Sequence, residues 1–197
     1  MKKILFVLFI ATYTTANCQN IDSTKVYNNK LKFSVVNFID NTLFISYERT
    51  LKNDNALYIG CGPLYSNSNG EPKSGLRAEF QYKLYITKKE KANSIKRIYF
   101  APYLTYKFLE KKSNYWNGNN TIFNLTKQYH SFCPGIIAGY SITVYNRINI
   151  DFYVGGGLKR TFDGDFNGHI LYDNDNLWSP GYSGVIPKIG FDIGITF

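Results

Sequence analysis

The pair His130–Ser131 has the residue types of a nucleophilic hydrolase, in which a histidine takes the proton of a serine hydroxyl. It lies inside a stretch whose pattern predicts a β-strand, and adjacent residues on a strand point to opposite faces. The two side chains therefore cannot act on each other, and we expect no catalysis from them. A lipid-modifying enzyme, the alternative, would need His130 to converge with an acid such as Glu48 or Asp151 at a face that meets lipid.

A second stretch, Asp163–Gly168, spaces its side chains like a calcium-binding loop. The residues that match the first, third, fifth and sixth places are Asp163, Asp165, Asn167 and Gly168. The twelfth place holds Asn174 instead of a bidentate glutamate, although the neighbouring Asp173 and Asp175 could substitute. Because Asp, Asn and Gly also form tight turns, a turn is the competing interpretation. We expect no cofactor, with calcium as the alternative for this loop.

Aromatic residues in the predicted connections are the third candidate. Tyr115 and Trp116 fall in the connection Glu110–Lys127, and Trp178 falls in the connection Arg160–Gly184. Exposed Tyr and Trp are typical of surfaces that bind sugars or proteins. The alternative is a girdle of aromatic residues at a membrane interface, which barrels of every function carry.

These candidates lie in or between predicted strands. Each predicted strand is about ten residues long, has alternating apolar and polar residues, and is followed by residues that favour a turn. Helical periodicity is absent, so the sequence predicts an all-β fold with eight strands. The predicted strands are Lys30–Ile39, Thr42–Leu51, Ala56–Tyr65, Leu76–Ile86, Arg97–Leu109, Gln128–Val144, Ile148–Lys159 and Val185–Phe197. Pro134–Gly135 in the sixth suggests a bend, a bulge or two shorter pieces. We expect an antiparallel up-and-down transmembrane β-barrel.

Charged residues recur on one side of these strands, opposite an apolar side. An eight-stranded barrel has an interior just wide enough to be filled by side chains. Because a buried charge without a partner is costly, mixed signs predict a network of ion pairs inside the barrel. The residues predicted to form this network are Glu48, Arg77, Glu79, Lys83, Asp151, Lys188 and Asp192.

The final strand alternates without interruption. Phe191, Ile193, Ile195 and Phe197 fall on one side and small or charged residues on the other. A strand with one wholly apolar face that ends on an aromatic residue is typical of the closing strand of an outer-membrane barrel. We expect these four residues to form the signal read during barrel assembly.

The first residues resemble a secretory leader. Residues 1–18 have a basic start, a short apolar core and small residues at the end, and the apolar run is too short to span a membrane as a helix. We expect cleavage near Cys18/Gln19; lipidation of Cys18 is the alternative. The domains are then a signal peptide at 1–18, an N-terminal lead-in at 19–29 and an outer-membrane barrel at 30–197.

Export also limits the partners. Removing the leader takes away two lysines and no acidic residue, which lowers the formal net charge from +9 to +7. An exported chain rarely meets nucleic acid, so we expect none, and we interpret the lysines as solvated or near lipid headgroups. Cys61 and Cys133 are too few for a disulfide framework, so we expect small buried residues, with a single bridge as the alternative.

Together, the leader, the alternating strands, the segment Ile150–Arg160 and the terminus Pro187–Phe197 resemble small bacterial outer-membrane β-barrels. The chain resembles the OmpA/OmpX-like barrel domains and related uncharacterised exported barrel families. This resemblance implies insertion by the barrel assembly machinery. We expect a monomer among outer-membrane lipids, with a structural role or an extracellular ligand at the outer loops. A soluble periplasmic barrel for small ligands is a further alternative.

Overall fold

A computed structural model describes residues 27–39, 41–51, 54–68, 71–87, 94–116, 122–163 and 179–197. Within these ranges, side chains are described at all positions except 67, 68, 71, 94, 113–116, 122–125 and 163.

The chain forms a closed barrel in which each strand is antiparallel to its neighbours in sequence. The barrel closes where the first strand pairs with the last, with Lys30 opposite Thr196. The strands are β1 (Asn29–Ser34), β2 (Ile45–Thr50), β3 (Ala56–Ser68), β4 (Glu71–Tyr85), β5 (Ser94–Trp116), β6 (Ile122–Val144), β7 (Ile148–Asp163) and β8 (Gly184–Thr196). The prediction of an all-β, eight-stranded, antiparallel up-and-down barrel is confirmed.

Side chains alternate between the two surfaces of this sheet. In β8, Lys188 and Asp192 are buried inside the barrel, whereas Ile189 and Ile193 are exposed outside it. The alternation of polar and apolar residues in the sequence thus matches the alternation of side chains between the inside and the outside of the barrel. The core of this protein lies inside the barrel.

The two ends of the barrel differ. One end, which we call the terminus end, holds Tyr27, Phe197 and the tight turn between β6 and β7. In that turn Tyr145 and Asn146 both have positive φ, and Arg147 N donates to Val144 O at 3.0 Å. The opposite end, which we call the far end, is where β5 and β6 extend furthest. Their hairpin continues to the pair Trp116–Ile122.

The first predicted strand, Lys30–Ile39, is wrong beyond Ser34. A short helix, α1 (Val35–Ile39), follows β1 at the far end. Asn37 is buried here and donates to Ser34 Oγ at 2.9 Å, while its backbone oxygen accepts from Thr42 N at 2.8 Å. These local hydrogen bonds compete with strand pairing and end the strand at Ser34.

The predicted connection Glu110–Lys127 is also largely wrong. Backbone pairing continues without a register change from Lys111 opposite Lys127 to Trp116 opposite Ile122. Ladder hydrogen bonds therefore satisfy the backbone groups that a loop would have left open. Likewise, Pro134 and Gly135 pair in register with β5, and β6 is one continuous strand.

Among the residues that the structure describes, α1 is five residues long, and no helix has the length and apolar character that crossing a membrane requires.

Candidate functional site

The interior is organised around Glu48 on β2. Its two carboxylate oxygens accept hydrogen bonds at 2.6 Å each from Lys30 and Lys32, which project inward from β1. Lys83 of β4 lies 2.9 Å from the same carboxylate, and Tyr85 Oη donates to it at 3.1 Å. Glu48 is completely buried, so its charge is balanced by these neighbours instead of by water.

Asp151 on β7 completes a ring of alternating charges. Its Oδ2 atom accepts from Lys32 at 2.7 Å and from Lys83 at 2.5 Å. Both lysines also bind Glu48, so two ammonium groups and two carboxylates alternate around the ring. Tyr99 Oη donates to the other Asp151 oxygen at 2.9 Å. We call Glu48, Asp151, Lys32 and Lys83 the charge ring.

A second cluster lies nearer the far end, around Glu79 of β4. Lys188 of β8 donates to Glu79 Oε1 at 2.5 Å, and Arg77 donates to Oε2 at 3.0 Å. Arg77 also donates to Asn37 Oδ1 at 2.5 Å, which connects the cluster to α1. The ammonium group of Lys188 lies 3.6 Å from the centre of the Tyr103 ring, a cation–π contact.

Asp192 of β8 joins neither cluster. It is fully buried and lies directly opposite Asp151 in the β7–β8 pair. Tyr58 Oη donates to Asp192 Oδ2 at 3.4 Å, a long hydrogen bond, and Oδ1 has no hydrogen-bond partner within the described part of the chain. The seven residues predicted to form a lumen network thus all face inward, and six of them form direct ion pairs.

This arrangement fills the barrel. At the terminus end a cavity of about 20 Å³ is lined by residues that include Lys30, Arg97 and Thr196. A volume of this size has room for about one water molecule. Towards the far end the buried side chains of Leu64, Leu109 and Tyr129, on β3, β5 and β6, pack together along the inner wall. Along the described strands, the interior is therefore occupied by buried side chains.

The candidate hydrolase pair is separated by the sheet. His130 faces outward, where its Nδ1 lies 2.8 Å from Tyr106 Oη and its ring packs against Phe108. Ser131 faces inward and is hydrogen-bonded to Thr161 Oγ1 at 3.0 Å. Glu48 and Asp151, the two acids considered as partners for His130, are both buried inside the barrel, on the opposite face of the sheet from His130.

The calcium-loop and aromatic candidates are only partly within the described residues. Asp163 ends β7, and Tyr115 and Trp116 end β5 as paired strand residues instead of loop residues. Asp165, Asn167, Asp173, Asp175 and Trp178 lie outside the described residues. Within the part of the chain that is described, no group of three or more His, Cys, Asp or Glu residues is placed to hold a metal ion.

The two cysteines of the barrel are both free. Cys133 is buried inside, with its Sγ atom 3.6 Å from Tyr103 Oη, as expected for a small interior residue. Cys61 is exposed on the outer surface, between Ile45 and Ala78 on the neighbouring strands. The expectation that Cys61 is buried is wrong, because its position in β3 projects away from the lumen.

The outer surface is the reverse of the interior, since it is covered by exposed large apolar side chains. They occur on every strand, and we call them the apolar belt. Members are Leu31, Ile45, Leu57, Ile59, Leu76, Phe80, Leu84, Ile98, Phe100, Leu104, Ile136, Ile148, Phe152, Val154, Val185, Ile189, Ile193 and Ile195. The expected assembly signal, Phe191, Ile193, Ile195 and Phe197, also lies on this side.

Sequence reasoning missed Lys30 and Lys32, which supply ammonium groups to the charge ring and to Glu48. The signal was present, because Lys30, Lys32 and Ser34 alternate with Asn29, Leu31 and Phe33. Two lysines near the start of a strand resemble an ordinary solvated segment. Only the pairing with β2, which puts Lys30 opposite Glu48, gives them a partner.

The geometry defines a class: a closed, eight-stranded antiparallel β-barrel with a charged, packed interior and an apolar exterior. No protein-family model matches the chain, and no curated protein or solved structure is significantly similar to it.

Proposed function

We propose that this protein is an outer-membrane β-barrel with a structural or surface-interaction role and no catalytic activity. The observation that supports it is the apolar belt around a charged interior. Soluble monomers rarely expose contiguous apolar surface larger than a few hundred Å². Lipid tails, in contrast, offer apolar side chains an environment in which outward exposure costs nothing.

The same observation separates this proposal from a soluble ligand-binding barrel. A soluble barrel that holds an apolar ligand needs apolar residues inside and polar residues outside. Here Glu48, Lys83 and Asp151 are fully buried, while Phe100 and Ile189 are 50% and 68% exposed. In water the exposed apolar surface would be unfavourable, and the charged interior would not suit an apolar ligand.

The proposal also assigns the two ends. Short turns in membrane barrels face the periplasm and longer connections face outward. The terminus end, with its tight turn at Tyr145–Arg147, would therefore be periplasmic, and the hairpin of β5 and β6 would reach outside the cell. Residues 1–18 would direct export, and the barrel assembly machinery would read Phe191 to Phe197. The packed interior favours a structural or surface role over conduction.

The first test is fractionation combined with heat-modifiability. The full chain is expressed in a diderm host, and its membrane fractions are run on a gel with and without boiling. We expect a band in the outer-membrane fraction that migrates faster when unboiled, because a closed barrel stays compact in detergent. A soluble periplasmic band without a heat shift would overturn the proposal.

Cys61 provides a second, site-specific test. In a Cys18→Ser background, Cys61 on the apolar belt should react with a lipid-soluble maleimide but not with a charged, membrane-impermeant one. A Ser74→Cys variant is the matched control, because Ser74 is an exposed position nearer the far end of β4. Equal labelling of Cys61 by both reagents in intact outer membranes would contradict the assignment of this surface to lipid.

A further inference from the structure

The wall of the barrel changes along the seam between β1 and β8. β8 pairs with β7 from Gly184 to Ile195, but its pairing with β1 stops at Asp192, because β1 ends opposite it at Ser34. Among the described residues, 184–191 of β8 therefore have no strand on their β1 side. The seam is closed by strand pairing only in its half nearer the terminus end.

Ile189 lies in the half of β8 that has no β1 partner. Phe197 exchanges backbone hydrogen bonds with Asn29 next to β1, and alternate residues of a strand direct their backbone groups to the same side. The N–H and C=O of Ile189 therefore point to the β1 side, where no described residue hydrogen-bonds to them. Ile189 belongs to the apolar belt, and a membrane tolerates such an open edge only where protein or a water-filled cavity covers it.

α1 is the element that lies against β8 at this position. It exposes the side chains of Phe38 and Ile39, by 52% and 76%, so its outer side is as apolar as the belt. A helix of five residues is not stable by itself and depends on its contacts. Its side-chain hydrogen bonds are made by Asn37, which donates to Ser34 Oγ and accepts from Arg77. A single residue thus holds α1 over the open edge.

Arg77, which contacts α1 from inside the barrel, has a donor without a partner. Its Nη1 donates to Asn37 Oδ1 at 2.5 Å and its Nη2 to Glu79 at 3.0 Å, whereas Nε is buried and has no hydrogen-bond partner among the described residues. The side chain is 18% exposed, compared with 7% for Lys188 and 0% for Glu79. If α1 moves, Nη1 is released as well, and both N–H groups can donate to a carboxylate.

We propose that α1 is a movable cover, and that Arg77 beneath it binds the carboxylate of a long-chain fatty acid that enters from the membrane between α1 and β8. A guanidinium group matches the geometry of a carboxylate, and the acyl chain would stay on the apolar belt beside Ile189. The wall lacks the width of one strand here, about 4.8 Å, which suits one acyl chain better than a lipid with several. This inference rests on the proposed function, since the ligand comes from the membrane.

The test uses isotope-labelled protein, purified in detergent micelles from cells that express the full chain, and follows its amide signals by NMR. Oleate, oleyl alcohol and acetate are titrated separately. We expect oleate to shift the signals of Asn37 and Ile189 saturably. Oleyl alcohol lacks the charge and acetate lacks the chain, so each should bind at least about tenfold more weakly. Asn37→Ala should tighten oleate binding about fivefold, the effect of losing one hydrogen bond that keeps α1 closed.

Arg77→Lys should weaken oleate binding about tenfold, because it keeps the charge but loses Nε–H and the planar pair of donors. Arg97→Lys is the matched control, since it makes the same change in another buried arginine at the terminus end, and its affinity should be unchanged.

Three results would each overturn the proposal: an equal loss in Arg97→Lys, binding of oleyl alcohol or acetate as tight as that of oleate, or no saturable shift with oleate. If Arg77→Lys does not retain its heat shift, Asn37→Ala decides, and an unchanged oleate affinity in that variant would contradict a movable α1. Because fractionation and the heat shift are read separately from oleate binding, failure here leaves the membrane proposal standing.

Discussion

The ammonium group of Lys83 lies 2.5 Å from a carboxylate oxygen of Asp151, although their strands, β4 and β7, are not paired. The ion pair therefore spans the lumen instead of running along the sheet. Lys32 makes the same kind of connection from β1 to β7. The charge ring thus ties together strands that share no backbone hydrogen bonds.

Asp151→Asn should be strongly destabilising. It removes the carboxylate from two fully buried lysines, and breaking a buried ion pair on one side costs about 3–5 kcal/mol. The free energy of unfolding would be measured by urea titration of the barrel folded into lipid vesicles. Asp151→Asn combined with Lys83→Met is the control, because it removes one charge of each sign. The double variant should recover part of the loss; a further loss would show that the ring is not held by charge balance.

Ile59→Arg should destabilise the barrel in vesicles by about 2–4 kcal/mol, the cost of an arginine at the bilayer midplane, because Ile59 lies at mid-height on the apolar belt. Ile86→Arg is the matched control at the terminus end, where the expected cost is about 0–1 kcal/mol. Both side chains are about equally exposed, at 61% and 62%. Equal, small effects would indicate that water surrounds this surface.

Gly190→Ala should also destabilise the barrel. Gly190 is directly opposite Tyr153, and the Tyr153 ring occupies the space that a Cβ atom on residue 190 would need. Overpacking of this kind costs about 1–3 kcal/mol. Gly156→Ala is the control, since its Cβ would meet only a carbonyl oxygen at 3.1 Å. Adding Tyr153→Leu to Gly190→Ala should restore part of the stability in the same unfolding assay.

His130→Ala should lower the free energy of unfolding, and neither the wild type nor the variant should hydrolyse phospholipid. The substitution removes the ring contact with Phe108 and the hydrogen bond with Tyr106, together about 0.5–1.5 kcal/mol. Wild-type protein and the variant would be compared in a phospholipid hydrolysis assay and by unfolding. Hydrolysis by the wild type that disappears in His130→Ala would contradict the non-catalytic role and favour the lipid-modifying enzyme.

The fold was predictable because apolar residues alternate with polar or small residues along its strands. In β8, lysine, glycine and aspartate alternate with isoleucine and phenylalanine, and the structure follows that pattern residue by residue. Val35 to Ile39 was not predictable in this way. Its β-branched residues favour a strand. In the structure, however, the Asn37 side chain donates to Ser34 and accepts from Arg77, and these hydrogen bonds stabilise the helix. Arg77 is distant in sequence, so the pattern of the segment does not reveal this contact.

The interior was predictable in composition but not in pairing. Alternation put Glu48, Lys83 and Asp151 inside, and it could not tell which lysine meets which carboxylate. Those partners depend on distances across the lumen, which are set by the closure of the barrel. The length of the β5–β6 hairpin was missed because its residues resemble those of a loop, while ladder hydrogen bonds override that composition.

The pairing of β1 with β8 differs from the other strand pairs in when it can form during folding. Every other strand pair joins strands adjacent in sequence, so each can form by a local hairpin, whereas Lys30 and Thr196 must meet across the whole barrel. Until they do, the growing sheet keeps two open edges, which can pair with other chains. Closure of this seam is the strand pairing with the greatest separation along the chain, and it is the step that removes both edges.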